Sequence, residues 1–188
     1  MDRQEFEEVI EVNSPGDNLN PAILAKKALD FYLKEGSLPE IPGDLPPEYY
    51  SRAGVFVSLK KDGQLRGCIG TVEPVRDNLV EEIAVNAVSA AVRDPRFPPV
   101  DKEELPLLSV SVDILGPMER ISSEDELDPH QYGVLVRSGS RSGLLLPNLE
   151  GINTVKEQLD IARRKAGIMP GQQAELYRFK VTRYGEGD

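Results

Sequence analysis

Apolar residues recur at helical spacing in three segments of the chain, at about 20–35, 77–93 and 154–166. This period predicts three amphipathic helices, because positions three and four apart share one helix face. Asn20 and Asp77 stand where their side chains can cap the first two helices. The second helix has so many alanines on its apolar face that we expect it to pack closely against the element it covers.

Six other segments have the alternation and composition of β-strands. They are residues 54–60, 64–72, 107–115, 133–136, 143–147 and 175–184. Asp62-Gly63 joins the first two strands into a hairpin, because this pair tolerates the positive φ of a tight turn. Thr154 and Glu157 form a capping-box pattern at the start of the third helix, and Gly167 is placed to end it.

The order hairpin, helix, strand occurs twice along the chain. An offset of 79 residues aligns Gly54 with Gly133 and Leu65 with Leu144. We interpret this as two β-β-α-β units from an internal duplication, and a chance recurrence of hairpins is the alternative. One unit alone exposes a sheet face, so joining the two would bury both faces.

The pattern therefore predicts the α+β class, with two β-β-α-β repeats forming a mixed or antiparallel, barrel-like sheet and the helices outside. We expect a single domain at 18–188, made of two lobes at about 18–117 and 118–188. A chain of 188 residues is long enough to bury a sizeable core in such a domain.

The charge of the chain narrows the range of partners. Lys and Arg number 22 against 32 Asp and Glu, which gives a formal net charge of −10. Residues 1–17 carry six of the acidic side chains and one basic one, so we expect an acidic N-terminal arm. A protein this acidic repels phosphate backbones unless its cations are segregated, and we therefore expect no nucleic-acid partner.

The sequence also bears on the compartment and on metals. No stretch approaches the roughly 18 apolar residues of a membrane span, and residues 1–12 lack the apolar core of a signal peptide. Cys68 is the only cysteine, which favours a reducing, cytoplasmic setting without an intrachain disulfide. His130 is the only histidine, so a zinc site of the usual Cys/His type is not expected.

The most distinctive segment is Arg-Gly-Cys-Ile-Gly at 66–70, within the second predicted strand. Alternation along a strand would turn Arg66, Cys68 and Gly70 to one face and Gly67 to the other. Glycine weakens a strand interior, so Gly67 and Gly70 make sense where a helix, another backbone or a ligand approaches closely.

Two interpretations of Cys68 stay open at this point. It is either a nucleophile or redox thiol activated by Arg66, or a small buried residue of the core. Nucleophilic cysteines normally need a general base, and nothing in the sequence brings His130 near. Arg66 is in turn a ligand-binding residue, a structural ion-pair partner or a plain surface cation.

A second distinctive segment is Arg-Asp-Pro-Arg-Phe-Pro-Pro at 93–99, at the end of the second helix. Its three prolines fix the path of the loop. The loop is either a rigid platform on which Arg93, Asp94 and Arg96 bind a carboxylate or phosphate, or a stiff corner with Phe97 in the core.

Taken together, these segments resemble the AMMECR family over roughly residues 20–184. The most specific likenesses are Leu-Arg-Gly-Cys-Ile-Gly at 65–70, the family's hallmark, and the run at 90–100. The first helix and the segment 144–147 also fit. The second half is similar to the prokaryotic lineage called AmmeMemoRadiSam system protein A, a label that reflects co-occurrence with a Memo-type protein and a radical-SAM protein.

The resemblance implies a two-lobed α+β fold and, as candidate partners, Memo-type and radical-SAM proteins. It implies no particular activity. Many members of the family carry glutamate where Ser111 stands, and histidine where Tyr132 and, in this lineage, Tyr184 stand. A mechanism that needs those side chains is therefore not expected in this chain.

We expect a small-ligand or partner-binding module of a modification pathway, with the segment 66–70 and the loop 93–97 lining one concave surface. The candidate ligand-binding residues are Arg66, Gly67, Gly70, Arg93, Asp94 and Arg96. The alternative is an enzyme that uses Cys68 as a nucleophile or redox thiol. No cofactor follows from these motifs, since no Walker motif, dinucleotide-binding glycine pattern or serine elbow is present.

Overall fold

The computed structural model describes residues 20–41 and 47–187, so the acidic arm predicted at 1–17 lies outside the described residues. Three α-helices are present in the described part of the chain: α1 (Pro21–Glu35), α2 (Leu79–Val92) and α3 (Val155–Ala166). The strands are β1 (Val55–Lys61), β2 (Gln64–Gly70), β3 (Leu108–Leu115), β4 (Glu119–Ile121), β5 (Gly133–Ser138), β6 (Arg141–Leu145), β7 (Glu175–Phe179) and β8 (Val181–Gly185).

The ends of the helices follow from local chemistry. The Asn20 side chain caps α1 as predicted, and Gly36 ends this helix with a φ of 73° that favours glycine. α2 is capped by Asn78, whose side chain accepts a hydrogen bond from the Glu81 backbone N–H. The prediction of Asp77 as the cap was wrong by one residue, because Asn78 is the last residue with extended backbone before the helix.

The capping-box prediction for α3 is confirmed. Thr154 Oγ1 accepts from the Glu157 N–H at 3.2 Å, and the Glu157 carboxylate accepts from the Thr154 N–H at 3.0 Å. Gly167 ends the helix at a φ of 64°. The last turn carries Arg163, Arg164 and Lys165, whose positive charges interact favourably with the negative end of the helix dipole.

The strands form two four-stranded sheets, in the orders β2-β1-β3-β8 and β4-β7-β5-β6. β1 pairs antiparallel with β2 and with β3. In the second sheet, β7 pairs antiparallel with β4 and β5, and β5 pairs antiparallel with β6. β1, β2, α2 and β3 correspond in order to β5, β6, α3 and β7. The predicted α+β class with two β-β-α-β repeats is therefore confirmed.

The last predicted strand, 175–184, is divided in the structure. β7 ends at Phe179 and pairs in the second sheet, whereas β8 begins at Val181 and joins the first sheet beside β3. The prediction of one continuous strand was wrong, because the apolar alternation of this segment continues across the point where the chain changes sheets. The short strand β4 was not predicted.

The chain divides into two compact units, each with its own core. The first comprises the described residues up to Ile114 and those from Arg183 onward, and the second is Leu115–Thr182. In the first unit, α2 contacts both α1 and the β1–β2 hairpin, and it is buried on nearly all sides. Its alanines allow this close packing, as the sequence indicated. In the second unit, α3 packs on β5 and β6.

Both repeats bury a polar side chain at the fourth residue of the helix. Glu82 is 1% exposed and Gln158 is fully buried. The Glu82 carboxylate accepts hydrogen bonds from the Thr71 hydroxyl and from the N–H groups of Val75 and Arg76. It therefore fixes the connection that leads from β2 to α2.

Candidate functional site

β2 is an edge strand of the first sheet and contains an irregularity at Arg66. Leu59 of β1 lies opposite Gly67, whereas the next residue, Lys60, lies opposite Leu65. Arg66 is therefore an extra residue, a β-bulge. The bulge interrupts the strict alternation that the sequence predicted, so alternation no longer ties the direction of Arg66 to that of Cys68.

Arg66 binds other protein groups. Its Nη2 lies 2.7 Å from Glu104 Oε2, its Nη1 lies 2.9 Å from the Pro98 carbonyl oxygen, and its side chain is 13% exposed. Lys61 Nζ donates to the same carboxylate at 2.8 Å. Hydrogen bonds from Arg66 and then from Lys61 hold the pKa of Glu104 to about 2. These contacts favour the structural ion-pair interpretation of Arg66.

The loop 93–99 lies against the free edge of β2, where it replaces a neighbouring strand. The Asp94 carboxylate accepts the Cys68 backbone N–H at 2.9 Å, and Arg96 Nη2 donates to the Cys68 carbonyl oxygen at 3.2 Å. Asp94 and Arg96 are themselves joined by bonds of 2.6 and 2.9 Å. We call this arrangement the edge clamp; it satisfies backbone groups that an edge strand would otherwise leave unpaired.

The edge clamp orients a half-exposed guanidinium. The Asp94 side chain is 2% exposed and that of Arg96 is 55% exposed. The hydrogen bonds from Arg96 hold the pKa of Asp94 well below its usual range, and the same pair raises the pKa of Arg96. The buried carboxylate therefore stays charged and fixes the arginine beside Cys68.

Both glycines of the segment 66–70 are explained by packing. A Cβ added to Gly67 would lie 2.1 Å from the Ala90 carbonyl oxygen of α2. A Cβ added to Gly70 would lie 2.3 Å from the Phe56 ring. The close approach of a helix, which the sequence suggested as one reason for such glycines, therefore holds for Gly67. Gly70 makes room for an aromatic ring.

Cys68 lies on the sheet face opposite α2, because its neighbour Gly67 faces that helix. Ser58 is its partner on β1, and Ser111 lies opposite Ser58 on β3. The Ser58 hydroxyl donates to Cys68 Sγ at 3.3 Å. Cys68 is partly exposed, so it is neither sealed in the core nor fully open. One thiol and two hydroxyls thus form a row across three strands.

A second arginine reaches this face from β8. Arg183 Nε and Nη2 bind the two oxygens of Asp113 at 2.7 and 2.9 Å. The Asp113 side chain is 3% exposed and that of Arg183 is 47% exposed. The hydrogen bonds with Asp113 raise the pKa of Arg183. Cys68 makes a smaller contribution in the same direction to the pKa of Arg183 and to that of Arg96. Cys68 therefore lies within electrostatic range of two guanidiniums, each fixed by a buried carboxylate.

Arg93 does not join this cluster. It ends α2, is exposed, and borders a depression of about 310 Å³ that is also lined by Tyr32, Leu38 and Val85. Those side chains belong to α1, to the segment after it and to α2. The structure thus brings Asp94 and Arg96 to Cys68 and turns Arg93 toward the helices.

Sequence reasoning missed Arg183 and the role of Asp113. Asp113 occupies a regular polar position in the alternation of β3, so the sequence gives no sign that this carboxylate is buried. Its partner, Arg183, is 70 residues away along the chain, and no local sequence pattern predicts that pairing. Ser58 was also missed, because a serine in a strand is compatible with any exposed face.

Two further structural findings bear on function. Within the described ranges, no group of three or more His, Cys, Asp or Glu side chains is placed to hold a metal ion. None of the described helices combines the length and the apolar character required to cross a membrane.

The fold and the site define an α+β protein built from two hairpin-helix units, with a thiol and two anchored arginines on one sheet face of the first unit. The sequence model of the AMMECR1 family matches residues 22–184. The chain belongs to the AMMECR1 family.

Relatives in several organisms support this assignment. A protein of Thermotoga maritima is 50% identical over 163 residues, which cover 85% of this chain and 94% of that protein. Protein CA_C1420 of Clostridium acetobutylicum is 51% identical over 165 residues, and the alignment covers 87% of this chain but 35% of that longer protein. The crystal structure of the uncharacterized protein PH0010 from Pyrococcus horikoshii has a TM-score of 0.79 at 36% identity, covering 87% of this chain and 88% of that one.

Proposed function

We propose that this protein is a binding module for a small ligand that carries a carboxylate or phosphate group. The observation that carries the proposal is the pair of half-exposed arginines, Arg96 and Arg183, each fixed by a buried aspartate around Cys68. Arginine binds planar anions through two parallel N–H groups, and orientation by a carboxylate lowers the entropy lost on binding.

The geometry leaves donors available to a ligand. Arg96 and Arg183 each use Nε and Nη2 for their aspartate, and within the described residues the Nη1 group of each makes no hydrogen bond. β2 and β8 are separated by two strands, which places them about 14 Å apart at about 4.8 Å per spacing. A ligand between the arginines would meet Cys68, Ser58 and Ser111.

The charge of the whole chain makes such an arrangement necessary. At a net charge of −10, the protein repels anions at long range. Fixed local donors are then required for an anionic ligand to bind. The same repulsion works against a nucleic-acid partner, which offers many phosphates but needs an extended cationic surface.

Titration with inorganic phosphate and with succinate, followed by amide chemical shifts, tests the proposal. We expect shifts at the amides of Ser58, Cys68 and Gly70. Arg96→Met and Arg183→Met should each weaken binding about tenfold, the loss expected for one charge-assisted hydrogen bond. Arg93→Met is the matched control, because this exposed arginine lies three positions from Arg96 and faces the helices.

Two outcomes would contradict the proposal. One is the absence of shifts on the Cys68 face with both probes at millimolar concentration. The other is an equal loss of affinity in the Arg93→Met control, which would show that only the overall charge matters.

A second candidate function is an enzyme that uses Cys68 as a nucleophile or redox thiol. Its partial exposure and the hydrogen bond from Ser58 favour this candidate over a core cysteine. Intact-mass analysis of protein purified from its native host tests it. A covalent adduct on Cys68 that is lost in Cys68→Ser supports catalysis or redox use, whereas an unmodified thiol that stays inert toward electrophiles argues for binding alone.

The sequence resemblance to the AmmeMemoRadiSam lineage supports a place in a modification pathway with Memo-type and radical-SAM proteins. We propose these as partners. Co-elution of the purified proteins from the same genome in size-exclusion chromatography is the expected result. Separate elution at concentrations well above those in cells would count against direct binding.

A further inference from the structure

The second unit contains a concavity of about 1000 Å³, which is separate from the Cys68 face. It lies at one end of the second sheet, where β4, β5, α3 and the loop 171–174 meet. Its volume is at the upper end of pockets that hold small organic ligands. All of its lining residues belong to the second unit.

Three arginines from three different elements line this concavity: Arg120 from β4, Arg137 from β5 and Arg163 from α3. The carboxylates that line it are Glu126 and Glu175, so arginines outnumber carboxylates among the lining residues of this strongly acidic chain. Because the three arginines come from separate elements, they are not simply the solvent-exposed charged face of a single helix.

The neighbouring acidic groups are already occupied. Glu175 binds Arg120 at 2.9 Å, and both side chains are well exposed. Glu126 accepts hydrogen bonds from the backbone N–H groups of Ser122 and Ser123, and these bonds lower its pKa. Glu126 therefore serves local structure, whereas Glu175 is paired with one of the three lining arginines.

The loop that closes the concavity is held by side-chain contacts. Arg163 Nη1 donates to the Gln172 carbonyl oxygen at 3.2 Å, and Ser138 Oγ donates to the Gln173 carbonyl oxygen at 3.0 Å. Gly139 and Gly171 lie in turns with positive φ and have open space around the position of a Cβ. The backbone of these turns is thus accessible to a ligand.

We propose that this concavity binds a phosphorylated small molecule with at least two negative charges, of the diphosphate class. Three guanidiniums fit the several oxygens of a diphosphate better than a single carboxylate. The remaining volume would accommodate the organic part of the ligand. This site is independent of the one proposed around Cys68.

Isothermal titration with inorganic pyrophosphate tests the proposal. Arg163→Gln should weaken pyrophosphate binding about tenfold, as expected for the loss of one charge-assisted contact. Arg164→Gln removes the same charge from the next residue of α3, which does not line the concavity, and should change the affinity by less than about twofold.

The proposal is overturned if pyrophosphate does not bind at millimolar concentration, or if Arg164→Gln weakens binding as much as Arg163→Gln. Circular dichroism establishes that each variant is folded. If Arg163→Gln fails to fold, Arg120→Gln takes its place, because that side chain is 67% exposed. The same tenfold loss is expected there, and its absence contradicts the proposal.

Discussion

Asp94 is the residue on which the geometry around Cys68 depends most. Its buried carboxylate binds both the Cys68 N–H and the Arg96 guanidinium, and Arg66 in turn holds the end of the same loop through the Pro98 carbonyl. The segment 66–70 and the loop 93–99 therefore stabilise each other. This contact between them explains their residue types as much as any ligand would.

Asp94→Asn should destabilise the protein by about 2–4 kcal/mol, because it leaves a buried amide against Arg96 and removes a charge-assisted bond to the edge of β2. Urea unfolding measures the change. Asp160→Asn is the control: this carboxylate is 53% exposed in an i,i+4 pair with Lys156, and its loss should leave the unfolding free energy essentially unchanged. Equal effects of the two substitutions would contradict the role given to Asp94.

Because Glu104 is the ion-pair partner of Arg66, the stability that this pair contributes depends on pH. Its pKa falls from the ordinary value of 4.5 to about 2 in the folded protein. The stabilisation is therefore fully present above about pH 4.5 and is lost as the pH falls toward 2. Wild type should exceed Glu104→Gln in unfolding free energy by about 1–2 kcal/mol at neutral pH, allowing for solvent screening. A difference that persists unchanged at pH 2 would show that charge is not the cause.

At the scale of elements, local patterns predicted what local chemistry determines. The cap at Asn20, the turn at Asp62-Gly63 and the capping box at Thr154 depend on residues close together in sequence, and the structure has all three. The bulge at Arg66 and the pairing of β8 with β3 depend on the partner strand. Alternation within one strand contains no information about either.

The two repeats should respond alike to a methyl group between the hairpin and the helix. A Cβ on Gly67 or Gly143 would lie 2.1 Å from a backbone oxygen, of Ala90 and of Ala162 respectively. We expect Gly67→Ala and Gly143→Ala to cost about 2–4 kcal/mol each, because the helix must move away from the sheet. Thermal and urea unfolding measure both.

Gly187→Ala is the control for these glycine substitutions, since the added Cβ would meet no atom within 4 Å. Its effect should stay within about 0.5 kcal/mol. A destabilisation in only one of the two repeats would contradict the equivalence of the two packing sites.

At the scale of the molecule, the fourth strand of each sheet comes from the segment that follows the third strand of the other repeat. β4 follows β3 but pairs with β7, and β8 follows β7 but lies beside β3. Arg183 belongs to this exchanged strand. The second arginine of the proposed site therefore depends on topology, which is why the order of predicted strands identified the class of the fold but not this residue.

Removal of residues 181–188 tests the structural role of the exchanged strand. The truncation exposes the edge of β3 and leaves Asp113 buried without Arg183. We expect faster amide hydrogen exchange throughout β3, with little change in α3. Truncation of 187–188 alone keeps β8 and is the matched control. Unchanged exchange in β3 of the longer truncation would contradict the assigned pairing.

The reactivity of Cys68 measures the central claim, which is that Arg96 and Arg183 attract anions to its face. Cys68 is the only thiol, so alkylation reports on this position alone. The ratio of the iodoacetate rate to the iodoacetamide rate compares an anionic and a neutral reagent on the same thiol. We predict that this ratio falls in Arg96→Met and Arg183→Met and at high salt, but not in Arg93→Met. A ratio that is the same in all four proteins would contradict the claim.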